Sequence, residues 1–193
     1  MPSFTPGTFI ATPTGERAIE DMRPGDRVIT RDRGVQEVKW AGRRRFNHTE
    51  LASAEHLGPV LISKGSLGNG LPERDMMVSP NHRLLVPGDR TVLKLEQHEA
   101  LVAAKHLINS RTIRRVDALG GAYVHVVCSQ GTMMMANGCW SESFQPADNN
   151  PNGLGNAQRN EVLEIFPELA AKAARRPGTF PSPTPRRGPQ FLN

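Results

Sequence analysis

The 193-residue sequence predicts an all-β domain with a short helical appendage toward its C-terminal end. Three observations carry that expectation. Turn signals recur at short intervals between β-rich runs, which is the spacing of a sandwich or barrel-like domain. The composition shifts after Phe144. A single apolar stripe at helical spacing then follows.

Taken in order, Pro6-Gly7 has the chemistry of a type II turn, with Pro at the second position and Gly at the third. Phe9–Thr12 reads as a strand, closed by Pro13-Thr14-Gly15. Ala18–Met22 is a short connector with apolar anchors. Pro24-Gly25 repeats the turn before a strand at Arg27–Thr30, and Asp32-Arg33-Gly34 turns the chain into Val35–Trp40. The basic triplet Arg43-Arg44-Arg45 reads as a solvated edge, which discourages pairing with other chains. Thr49–His56 suits a brief helix and Pro59–Ser63 a strand. Ser66–Pro72 is a Gly-rich loop. Met76–Val78 and Arg83–Val86 read as strands flanking a tight turn. Further strands are expected at Thr91–Leu95 and Thr112–Val116, with Glu99–Leu107 either strand or short helix. Ala122–Val127 and Met133–Ala136 are read as a last pair, with a strong turn at Asn137-Gly138.

The expected organisation is a β-domain over residues 3–145, a linker over 146–156, a helical appendage over 157–176 and a disordered tail over 177–193. The linker is rich in Asn, Gly and Pro and has no apolar period. Val162, Ile165, Phe166 and Leu169 give the appendage its stripe, expected to dock on the β-domain. Pro167 must break the helix or open a second one. The tail holds five prolines among Gly, Ser and Arg, a composition that does not form a packed core.

The net charge of +5 belongs to the end of the chain. Lys172, Arg175, Arg176, Arg186 and Arg187 face no acid after Ala170, which leaves 19 basic against 19 acidic residues before it. A basic nucleic-acid-binding domain is therefore not expected. No apolar run approaches the roughly 20 residues that span a bilayer, and no secretory signal is visible. No membrane partner is expected, and the default location is cytoplasmic, with export without a cleaved signal as the alternative. Cys128 and Cys139 make no metal spacing and read as reduced, buried thiols. No cofactor motif and no metal set stand out. His125, in an apolar strand with no second ligand nearby in sequence, reads as a structural residue, and Trp40 and Trp140 as core.

Candidate chemistry centres on Ser79-Pro80-Asn81-His82. Pro presets φ at the second turn position and Asn tolerates the third, so the first and fourth Cα atoms come within roughly 7 Å. A hydroxyl and an imidazole then face one space on a rigid tip, where chemistry is often placed. Without a partner elsewhere in the chain, the same residues describe a hairpin turn with a surface His.

Ser3-Phe4-Thr5-Pro6-Gly7-Thr8 and Gly15–Thr30, with Ile19-Glu20-Asp21-Met22-Arg23-Pro24-Gly25-Asp26-Arg27-Val28, resemble the opening of the Hedgehog/intein (Hint) family. Pro72–Val86 resembles the stretch bearing that family's Thr-x-x-His motif. Ala136-Asn137-Gly138 with Glu142-Ser143 resembles its closing strand pair. The likeness is greatest to the bacterial Hint-domain branch and covers roughly residues 3–145. It implies a Hint β-fold and a self-acting, single-turnover module whose substrate is its own N-terminal peptide. Ser3 would attack the preceding carbonyl in an N-to-O acyl shift, Ser79 would hydrogen-bond the scissile peptide, and His82 would protonate the departing nitrogen as general acid. The chain is expected to be a monomer.

The sequence departs from the family pattern at four places, one being that the scissile bond, Pro2–Ser3, is expected to have only Met1-Pro2 upstream of it. Ser3 stands where Cys is usual, and a hydroxyl needs stronger base assistance than a thiol. Val127–Met133 lacks the Asp and His-Glu pair that the branch commonly carries. Leu192-Asn193 does not supply the His-Asn pair of intein-type splicing. These departures support a second expectation, a non-catalytic Hint scaffold that binds or assembles, with the basic tail making contacts. A conventional enzyme acting on separate substrates ranks third.

Overall fold

The computed structural model describes residues 3–87, 99–117, 120–143 and 156–169. Its strands are β1 (Phe9–Thr12), β2 (Gly15–Ala18), β3 (Arg27–Ile29), β4 (Val35–Asn47), β5 (Val60–Ile62), β6 (Met76–Val78), β7 (Arg83–Pro87), β8 (Glu99–Ala103), β9 (Ile113–Arg115), β10 (Gly120–Cys128), β11 (Thr132–Ala136) and β12 (Cys139–Ser143). Two α-helices, α1 (His48–Ser53) and α2 (Asn156–Ile165), accompany them. The all-β expectation holds, and the helix near the end of the chain is present.

Most strands are antiparallel neighbours of partners distant in sequence. One sheet runs β2-β1-β11-β12-β7-β8, a second β10-β4-β3 and a third β6-β5-β9. β11 and β12 form a hairpin whose turn residues, Asn137 and Gly138, have φ of 45° and 79°. Positive φ at both central positions matches the right-handed twist of the flanking strands, so Asn-Gly sets this register. Ile10, Val28, Val60, Val78, Leu84, Val86, Val124 and Met134 belong to one buried cluster under these sheets.

Two pairings differ from the sequence expectation. Ala122–Val127 does not pair with Met133–Ala136: β10 lies along β4, while β11 lies between β1 and β12. β6 and β7 do not form a hairpin across the Ser79–His82 turn. β6 pairs with β5, and β7 with β12 and β8, so the turn carries the chain from one sheet to another. Local propensity identifies strands, but their partners depend on side-chain packing across the whole domain.

β4 also continues past Trp40 through the basic triplet to Asn47, whose side chain caps α1 in a capping box with Glu50. Arg43, Arg44 and Arg45 therefore sit inside a strand paired with β10. The segment Glu99–Leu107 resolves into both alternatives, β8 followed by a 3-10 turn over Ala104–His106. Trp40 is buried as expected, whereas Trp140 is only half-buried. The expected strand at Thr91–Leu95, most of the 146–156 linker and the 177–193 tail lie outside the described residues.

α2 ends at Ile165, two residues before Pro167. Val162, Ile165, Phe166 and Leu169 pack with Trp40, Phe46, Leu51, Leu57, Tyr123 and Val127 in a second buried cluster. This cluster covers the face of the β4–β10 pair opposite the main core. Burying each of the four apolar side chains contributes about 1.5–3 kcal/mol. Arg44 Nη1 donates to the carbonyls of Glu164 and Ile165, capping the helix C-terminus with positive charge. No helix among the described residues is long and apolar enough to cross a membrane.

Candidate active site

Residues 3 to 5 form a short extended segment that threads between two sheets. Phe4 bridges Val78 on β6 and Val124 on β10, both antiparallel. Its amide donates to Val124 O at 2.9 Å and its carbonyl accepts from Val124 N at 2.7 Å. Thr5 N donates to Met77 O at 3.0 Å, and Ser3 O accepts from Ser79 N at 2.9 Å. Phe4 itself is 1% exposed, so its ring anchors the segment in the core. Residues 3–5 are thereby locked into the centre of the domain.

The turn that meets it is equally fixed. His82 N donates to Ser79 O at 3.0 Å, closing the turn. Ala104 N donates to His82 O and Lys105 N to Pro80 O, at 2.8 and 2.9 Å, so the loop after β8 holds the turn from outside. Ser79 Oγ accepts the backbone N–H of Ser3 at 3.3 Å. The His82 ring packs edge-on against Phe4 with centroids 4.5 Å apart. The structure thus brings Ser3, Ser79 and His82 together, and each is 0% exposed. Among the described residues, Ser3 Oγ and both ring nitrogens of His82 have no hydrogen-bond partner. Polar atoms buried without partners are costly, and a catalytic role is one explanation for them.

A fourth polar side chain faces Ser3. The hydrogen-bonded pair Phe4–Val124 sets the antiparallel register, which puts Ser3 opposite His125 in a position without direct backbone bonds. Side chains approach closest at such positions. His125 is 1% exposed, and its ring lies beside Trp40 and Phe166 at 5.9 and 6.1 Å between centroids. Gly42 sits opposite His125 on β4, and a Cβ there would overlap the Trp40 indole, so the glycine makes room for the ring wall. Burial drives the His82 pKa well below 6.5, and the neighbouring His125 imidazole pushes it the same way, against a nearby Ser3 backbone group. His82 is a neutral imidazole at physiological pH. Sequence reasoning placed His125 among structural residues because β10 is buried on both faces from Tyr123 onward. Alternation then gives no clue to which side a residue serves. The missing signal was the pairing of β10 with residues 3–5.

Chemically, the arrangement offers a hydroxyl at Ser3, an acceptor at the Ser3 amide nitrogen, and a neutral imidazole beside both, away from water. Neither thiol joins it. Cys128 and Cys139 are buried and form no disulfide, with burial raising their pKa to about 11 and about 12. Among the described residues no group of three or more His, Cys, Asp or Glu is placed to hold a metal ion.

The family model of the Hint domain matches residues 2–148. This chain belongs to the Hint domain family. Solved structures with similar folds include a bacterial intein-like domain from Clostridium thermocellum, 16% identical, covering 75% of this chain and 99% of its own, with a TM-score of 0.48. The gp41-1 intein is 15% identical and covers 73% of this chain and 98% of its own, with a TM-score of 0.45. A DnaB intein from Synechocystis is 11% identical over 75% of this chain and 99% of its own, with a TM-score of 0.43. No curated protein matches the chain. In this Hint domain the helix α2 lies beyond the matched region.

Proposed function

We propose that this Hint domain is an autoprocessing module that converts the peptide bond before Ser3 into an ester. Ser3 Oγ attacks the Pro2 carbonyl carbon, the C–N bond breaks, and the proton that leaves Oγ ends on the Ser3 nitrogen. The shift is an isomerisation and needs no co-reactant. Ser79 Oγ, accepting the Ser3 N–H, orients the amide whose nitrogen must become the leaving group. A neutral His82 can take the hydroxyl proton and return it to that nitrogen, and its lowered pKa favours the second half, donation to the leaving nitrogen. The ester then awaits water or another nucleophile. The flanking peptide is the substrate, and each molecule turns over once.

The observation that carries this reading is the hydrogen bond from the Ser3 amide to Ser79 Oγ inside a site where all three side chains are 0% exposed. The same closure favours the second reading, a Hint scaffold used for binding, because an acceptor has no open path to Ser3 in this state.

The deciding experiment attaches a soluble domain upstream of Ser3, with Pro2→Gly to let the peptide bend. The parent, Ser3→Cys and Ser3→Ala are compared in hydroxylamine or thiol at neutral pH, each with and without His82→Ala. A thiol is more acidic and more nucleophilic than a hydroxyl. Ser3→Cys is expected to cleave fastest, the parent slowly and Ser3→Ala not at all. His82→Ala is expected to slow the Cys variant by roughly 10²–10⁴-fold. An intact Ser3→Cys precursor after days would leave the scaffold reading.

A further inference from the structure

The turn that carries His82 is held by a residue from outside the region the family model matches. Glu161, on the inner face of α2, is 4% exposed. Its Oε2 accepts both the backbone N–H of Asn81, at 3.1 Å, and the Asn81 Nδ2 amide, at 2.7 Å. Asn81 immediately precedes His82. One turn earlier on the same helix, Gln158 Nε2 donates to Asn81 O at 3.3 Å and to Glu142 Oε2 at 2.9 Å. Glu142 in turn makes a two-pronged ion pair with Arg83, the residue after His82, at 2.8 and 3.1 Å. Both neighbours of His82 are thus tied to one network, half of which comes from α2.

We propose that Glu161 is a positioning residue of the site: by binding Asn81 it holds the Ser79–His82 turn in register with Ser3, and the C-terminal helix is a working part of this Hint domain. The proposal rests on the acyl-shift reading of the site. The Glu161 side chain is suited to the task because two donors from Asn81 converge on one of its oxygens. The geometry needed for the shift is strict. Ser79 Oγ must stay on the Ser3 nitrogen while His82 reaches both that nitrogen and Oγ, and displacements of about 1 Å cost roughly 100-fold in rate. Phe166, one residue past the end of the same helix, walls the His125 ring. The helix thereby faces the site with one polar and one apolar contact.

The test uses the full chain with an upstream fused domain, Pro2→Gly and Ser3→Cys, cleaved by added thiol. Glu161→Ala, Glu161→Gln and Glu164→Ala are compared. Glu164 contacts the exposed His56 at 2.9 Å and does not touch the turn, so its variant controls for loosened docking. Glu161→Ala is expected to slow cleavage by about 10- to 100-fold. Glu161→Gln, which keeps an acceptor oxygen at the same reach, is expected to recover most of that loss, and Glu164→Ala to match the parent. A Glu161→Ala precursor that cleaves at the parent rate, or a Glu164→Ala precursor that slows as much, would overturn the proposal. A second readout is independent of cleavage: the ¹⁵N resonances of the His82 ring and the Asn81 amide, recorded on Ser3→Ala protein. They are expected to move in Glu161→Ala and to stay put in Glu164→Ala. If no precursor cleaves, the acyl-shift reading fails, and this comparison alone decides whether Glu161 sets the turn; unmoved resonances in Glu161→Ala would refute it.

Discussion

Ser3 donates its backbone N–H to the side chain of Ser79, 76 positions further along the chain and 3.3 Å away. The reciprocal bond, Ser79 N to Ser3 O at 2.9 Å, makes the pair a two-point clasp. Replacing Ser79 by Ala keeps the second bond and removes the first. The Ser3 N–H is then buried without a partner, which costs about 1–3 kcal/mol. Urea unfolding of Ser79→Ala is expected to show a lowered midpoint with an unchanged slope. The fused precursor is expected to cleave more slowly than stability alone explains.

His82 makes the fold sensitive to acid. Burial lowers its folded pKa well below the 6.5 of the free side chain. Above that value both the folded and the unfolded states carry a neutral ring, and its stabilisation is fully present. As pH falls below it, the unfolded chain binds a proton that the folded domain does not, so stability declines by up to about 1.4 kcal/mol per pH unit toward the folded pKa. Melting temperature should therefore fall between pH 6.5 and more acidic buffers. His82→Gln should remove that part of the slope. An equal slope in the variant would place the acid sensitivity elsewhere.

Phe166 seals the second cluster with its ring 5.5 Å from Trp40. Phe166→Ala should cost about 3–5 kcal/mol, as for other buried Phe truncations. Loss of the contact should also shift Trp40 emission to longer wavelength at temperatures where the β-domain remains folded.

Gly42→Ala tests the other side of the same indole. The added methyl overlaps the Trp40 ring, which must leave its place beside His125. Overpacking of this kind costs about 1–3 kcal/mol, read from chemical denaturation.

The buried thiols give a simple check on the core. With Cys128 and Cys139 pushed up to about 11 and about 12, thiolate is scarce and access is closed. An aromatic disulfide reagent at neutral pH should label neither cysteine in the native protein and both after denaturation. Rapid native labelling would show that the β10–β12 region opens.

Much of the architecture was legible because turn chemistry is local. Pro-Gly and Asn-Gly pairs fix backbone angles by themselves, so the positions of β1, β3 and the turn at Asn137-Gly138 followed from the residues. Pairing was not local. Nothing in Ala122–Val127 reveals that its neighbours are β4 on one side and residues 3–5 near its start on the other, because a strand buried on both faces has no polar alternation. That gap hid His125. The Ser79–His82 turn could be read from its own four residues, but its support could not. Glu161 is an ordinary helical glutamate until the helix is placed against Asn81.

The threading of residues 3–5 between β6 and β10 also sets a clock on the molecule's birth. Ser3 is made early, yet its strand has no second neighbour until Val124 has been synthesised. At the usual pace of about 5–20 residues per second, the ribosome takes on the order of ten seconds to cover that distance. During this interval residues 3–5 lack their β10 neighbour, and His125 has not yet been made. An interrupted translation product ending before β10 would therefore lack half of the backbone cradle around residues 3–5.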